Sequence, residues 1–195
     1  MGDGRLRVRC DEPLRRRRLA VLLRVLLVVP HYLVLAVWTV PAALGVAVAW
    51  LALLIEGRLP SWLDRFLAAF LRYQGQVTGW LNLLSGHYPD PLHTRDHPFR
   101  IELAERPRQP RLVTLLRLPL ALPAVVLASA FNVVLSTSAA AAWFVALALG
   151  RTTEGLQELG TFCLRYQLET QAYVMLLTVS YPRLAPPVDA TTATE

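Results

Sequence analysis

The sequence predicts an all-α integral membrane protein built from two tandem repeats, each a long kinked apolar membrane helix or hairpin followed by an amphipathic helix. Three observations carry this prediction. Of the 195 residues 54% are apolar, more than a soluble body of this size can hide. They are clumped, so that Arg24 is the only charge from Leu19 to Ile55 and Arg117 the only one from Leu112 to Leu149. Each run exceeds the roughly 20 residues that cross a bilayer. Finally, residues 18–89 laid over 111–182 without a gap give 23 identities in 72 positions.

The repeat divides the chain into a basic cytoplasmic tail (1–17), membrane repeat 1 (18–89), a polar linker (90–110), membrane repeat 2 (111–182) and a polar tail (183–195). Matches fall at Arg24 and Arg117, Pro30 and Pro123, Trp50 and Trp143, Gly57-Arg58 and Gly150-Arg151, Arg72-Tyr73-Gln74 and Arg165-Tyr166-Gln167, and Tyr88-Pro89 and Tyr181-Pro182.

The first element of each repeat is the apolar run. As one helix, Leu19 to Ile55 is about 55 Å long against a hydrocarbon core of about 30 Å, so it must tilt, kink, run along the surface or fold back. Pro30 and Pro123 predict kinks. Thr39 with Pro41, and Asn132 at the matching place, suit the tip of a hairpin. Trp50 and Trp143 suit either an interface belt or ordinary packing. Gly57 and Gly150 are helix-ending residues, and Arg58 and Arg151 beside them are placed to contact lipid headgroups.

The second element is amphipathic. At helical spacing Trp62, Phe66, Phe70, Tyr73, Val77 and Trp80 share one side, opposite Asp64, Arg65, Arg72, Gln76 and Asn82. Copy two repeats the split, with Phe162, Tyr166 and Tyr173 opposed to Glu154, Glu158, Arg165 and Glu169. The candidate functional polar cluster is therefore Arg72, Tyr73, Gln74, Arg165, Tyr166, Gln167 and Glu169, and Arg165 with Glu169 has the spacing of a helical ion pair. Two placements satisfy this pattern. The helix lies in the headgroup plane, which is preferred, or it crosses the bilayer with its polar side against its counterpart.

Charge sets the orientation. Met1 to Arg18 holds seven arginines, which keeps the N-terminus cytoplasmic. The following apolar run is too long for a cleaved secretory signal. Tail, linker and both amphipathic helices then share the cytoplasmic side of a multi-pass protein. All twenty basic residues are arginine, a usage typical of GC-rich bacterial genomes, so a bacterial inner membrane is expected.

With these residues in view, the chain resembles the family of bacterial membrane proteins catalogued as domain of unknown function 4389, in its tandem two-copy form. The resemblance lies in the long apolar run, the Gly-Arg turn, the helix carrying Leu-Arg-Tyr and the closing "LLSGHYPDP" and "LLTVSYPRL". The usual Tyr-Pro-Pro-Phe ending is missing, since Asp90 and Arg183 follow the two Tyr-Pro pairs. The resemblance implies a membrane location and supplies no activity.

Little else carries chemistry. His87, His93 and His97 with Asp90 and Asp96 form a metal-like set, but prolines bracket the latter two histidines and a solvated loop is the plainer reading, so no metal or cofactor is expected. Ser136-Thr137-Ser138 suits an ion path or, more commonly, back-bonding to helix carbonyls. No phosphate loop, zinc motif or nucleophile elbow is present. The expected role is a non-enzymatic accessory or scaffold protein that binds membrane lipids or partner membrane proteins, itself included, and no nucleic acid. The alternative is a small transporter or channel whose Arg-Tyr-Gln clusters line a polar path.

Overall fold

Each apolar run folds as one unbroken helix. The structure, a computed structural model, describes residues 7–9, 18–90, 100–102 and 111–184. Within them run α1 (Arg18–Glu56), α2 (Ser61–Leu81), α3 (Arg111–Leu149) and α4 (Glu154–Val174), so each repeat is a helix of 39 residues followed by one of 21. Two three-residue strands unforeseen from the sequence, β1 (Arg7–Arg9) and β2 (Arg100–Glu102), pair antiparallel with Arg7 opposite Glu102. His93, His97 and Asp96 of the linker lie outside the described residues, as do nearly all of the N-terminal tail and all but two residues of the C-terminal one.

The hairpin alternative does not form. Thr39 turns its hydroxyl back onto the Leu35 carbonyl at 2.7 Å, and Pro30 and Pro41 are carried inside the helix. Each proline removes one helix hydrogen bond, whereas a hairpin tip within an apolar surface strands several backbone groups. The serine-threonine run of α3 back-bonds as well, Ser136 to the Asn132 carbonyl at 2.8 Å and Thr137 to Val133 at 2.9 Å.

The long helices stop at Gly57 and Gly150, both with φ of 70°, where glycine escapes the Cβ penalty. Their amides bond back to Leu53 and Ala146 at 3.1 and 2.9 Å. The short helices end differently. Leu83 and Leu176 take φ of 61°, and the next amides reach back to the carbonyls of Gly79 and Ala172 at 2.9 and 2.8 Å. A left-handed leucine costs about 1 kcal/mol or more. Burial offsets it, for both side chains are about 1–2% exposed and Leu83 packs on Ala142 and Ala146.

Inside each repeat the short helix runs back along the long one. Contacts step down α1 as they step up α2: Gly45 faces Leu63 and Leu67, the Trp38 ring lies 5.9 Å from Phe70, His31 Nδ1 is 2.7 Å from the Tyr73 hydroxyl, and Arg24 Nη1 donates to the Trp80 carbonyl at 2.5 Å. The same pairing joins Leu135 to Gly160, Phe131 to Tyr166 and Arg117 to the Thr178 carbonyl. A small residue faces a leucine in both halves with the sides exchanged, Gly45 on α1 against Leu67 and Gly160 on α4 against Leu135.

The halves are inverted relative to each other. Trp143 Nε1, near the end of α3, donates to Leu81 O at the end of α2, close to where the start of α1 reaches through Arg24. At the other end Arg117 and Ala121 share an apolar cavity with Ala43, Trp50 and Leu51. Thus α1 and α3 are antiparallel, as are α2 and α4, and a pseudo-twofold axis runs across the helices rather than along them.

Two layers result. The pair α1 and α3 makes one, α2 and α4 the other, and the β1–β2 ribbon packs beside α2 and α4. Segments Leu26–Glu56 and Pro119–Leu149 are long and apolar enough to cross a membrane. Less than a quarter of the most apolar stretch of each is buried, unlike the core helix of a soluble protein.

Candidate functional site

The site begins with polar residues that an apolar sequence places at matching positions in both copies. A partly open cavity of about 820 Å³ is lined by all four helices. Its lining falls into pairs 93 residues apart: Gln74 with Gln167, Thr39 with Asn132, Thr78 with Gln171, and Ala36 with Ser129. It therefore sits on the pseudo-twofold axis. The long helices supply Thr39, Ser129, Asn132 and Ser136 from one layer, and the short helices supply the glutamines from the other.

Hydrogen bonding in the cavity is incomplete. Gln167 Nε2 donates to Asn132 Oδ1 at 3.3 Å, a bond that ties the two layers of repeat 2. The matching threonine in repeat 1 makes its bond to its own helix instead, and Gln74 Oε1 is buried with no partner, as is Gln171 Oε1. No charged residue lines the cavity.

The Arg-Tyr-Gln triplets are split by helix geometry, since three consecutive residues point in three directions. Only Gln74 and Gln167 reach the cavity. Tyr73 is fully buried in the seam with α1, where it meets His31 and Trp38, and Tyr166 is buried against Phe131. Arg72 and Arg165 are not part of the cavity lining. Arg165 is nearly buried, with its guanidinium 5.5 Å from the Phe162 ring and its Nε 3.8 Å from Glu169 Oε1. Glu169 Oε2 also accepts from the Arg183 amide at 3.2 Å, a bond matched in repeat 1 by Asp90 N donating to Gln76 Oε1 at 3.2 Å. The expected headgroup arginines Arg58 and Arg151 are exposed beside the Gly turns.

Arg24 and Arg117, unassigned from the sequence, are 4% and 3% exposed; Arg24 donates to the Trp80 carbonyl in the last turn of α2, and Arg117 to the Thr178 carbonyl just beyond α4. Their charges lie at the negative end of each short helix and over an aromatic ring, 5.1 Å from Trp80 and 4.2 Å from Tyr173. Sequence reading also missed Thr78 and Gln171. The available signal was that polar residues recur at the same register of both repeats.

No curated protein and no solved structure matches the chain. The family model described as Domain of unknown function (DUF4389) matches it twice, over residues 18–93 and 111–185. Those two stretches cover most of the sequence and coincide with the two helical pairs. The chain therefore belongs to that family, with two copies of its domain in tandem.

Proposed function

We propose that this is a non-enzymatic membrane scaffold that lies within one leaflet, with α1 and α3 sunk in the acyl region and α2 and α4 above them facing the cytoplasm. One observation carries the reading: large apolar side chains are exposed along the whole of α1 and α3, whereas among the described residues of α2 and α4 only Trp62 and Leu159 are. Leu26, Leu33, Val37, Leu44, Leu51 and Ile55 are all more than half exposed along α1, as are Leu122, Val126, Val133 and Phe144 along α3.

The connection between repeats supports the same placement. Asp90 lies at the end where α2 finishes, α3 starts at the other end, and four arginines fall between Asp90 and Arg111 in the sequence. So many arginines are disfavoured in hydrocarbon, and β2, which lies among them in the sequence, packs beside α2. A helix about 10 Å thick fits within a leaflet whose acyl depth is about 15 Å. The exposed arginines Arg58, Arg65 and Arg151 then face anionic headgroups, each contributing about 1 kcal/mol near such a surface.

The test is cysteine accessibility in oriented membrane vesicles. Arg58→Cys and Gly86→Cys stand at opposite ends of the bundle. An impermeant maleimide is expected to label both from the cytoplasmic face; labelling from opposite faces contradicts the proposal. The second reading, a small transporter or channel, possibly oligomeric, is favoured by the polar cavity, although the arginines it called for do not line it.

A further inference from the structure

We infer that the cavity on the pseudo-twofold axis is a binding site for an uncharged, polyhydroxylated group, such as the sugar of a glycolipid or a free sugar. Its volume of about 820 Å³ lies within the range of small-molecule sites. Its chemistry is selective. A charged ligand buried there would lack a counter-charge, because no lining residue is ionisable except Tyr32, and an unpaired buried charge is strongly disfavoured. An alkyl chain alone would offer nothing to the side-chain amides of Gln74 and Gln171.

The orphaned atoms narrow it further. Gln74 Oε1 and Gln171 Oε1 each lack a donor, and a buried acceptor without one is unfavourable. The two residues come from opposite repeats, α2 and α4, and both line the cavity on the axis. A ligand that both donates and accepts serves whichever way either amide is turned. Hydroxyl groups both donate and accept, and satisfy either orientation. Thr39 and Ser129 add further hydroxyls across the cavity.

Thermal unfolding of the full chain in phosphatidylcholine nanodiscs tests the site, with three additions compared: none, monoglucosyl diacylglycerol in the bilayer, and free glucose in solution. A ligand at a hundred times its Kd is expected to raise the midpoint by about 5 °C or more. A rise with the glycolipid alone assigns the site to a headgroup, and a rise with glucose assigns it to a soluble sugar. The variant Gln74→Leu with Gln171→Leu removes both orphaned acceptors, so it is expected to melt no lower than wild type without ligand and to show no rise with it. A wild-type midpoint unmoved by both sugars overturns the inference, and so does a variant that responds as wild type does.

Discussion

Trp143 Nε1 donates to Leu81 O at 3.3 Å and joins the end of α3 to the end of α2 across the two repeats. The equivalent tryptophan of the first repeat, Trp50, has an Nε1 that is buried without a partner. Trp143→Phe is expected to cost about 1 kcal/mol, the typical worth of one hydrogen bond. Trp50→Phe is expected to be neutral or stabilising, since it removes an orphaned donor. Denaturant unfolding in detergent micelles separates the two, and equal losses would mean that the two indoles have the same environment.

Arg24 and Arg117 make a second pair with a measurable worth. Arg24 donates to the last turn of α2 and Arg117 to the Thr178 carbonyl just beyond α4, both while almost fully buried. Replacing either with Met is expected to lower stability by about 1.5–3 kcal/mol, the range for a charge-assisted bond. Arg58→Met, at an exposed turn, is expected to stay within about 0.5 kcal/mol. Comparable losses at all three positions in micelles would contradict the capping role.

Glycines on α4 differ in the space around them. A β-carbon on Gly155 would meet nothing within 4 Å, whereas one on Gly160 would lie 2.8 Å from Leu84 Cδ2. Gly155→Ala is therefore expected to stabilise by about 0.5–1 kcal/mol through reduced chain entropy. Gly160→Ala is expected to gain less or to destabilise, because Leu84, itself buried, must move. Thermal midpoints of the two variants rank them directly.

Much of a single repeat was legible because local chemistry decides it. The unbroken apolar runs and the glycines at Gly57 and Gly150 are periodicity and turn signals set by local chemistry, whereas the two-sided pattern read for α2 and α4 does not map onto burial: Trp62 of the apolar side is exposed, and Gln76 and Arg165 of the polar side are buried. The relation between the repeats was not legible. It depends on contacts such as Leu81 with Trp143 and Leu83 with Ala142, which leave no periodic trace, so antiparallel and parallel halves read alike. The cavity was hidden for the same reason: Gln74 acquires its role only when the other copy places Gln171 beside the axis. The hairpin expectation at Thr39 and Pro41 misread two residues that a long helix absorbs, the first by back-bonding and the second by forgoing one bond. Leucine at the left-handed positions Leu83 and Leu176 gave no turn signal at all.

The depth of α1 in the bilayer tests the central claim most directly. Single spin labels at Leu26, Leu33, Val40, Leu44 and Leu51 all sit on exposed positions of one continuous helix, whose first and last labels are about 38 Å apart along its axis. Relative accessibility to oxygen and to a water-soluble nickel chelate then gives the depth of each label. A helix lying in one leaflet predicts nearly equal depths, all within the acyl region of that leaflet. A profile that is shallow at Leu26 and Leu51 and deepest near Val40 would show a helix crossing the bilayer and would contradict the account.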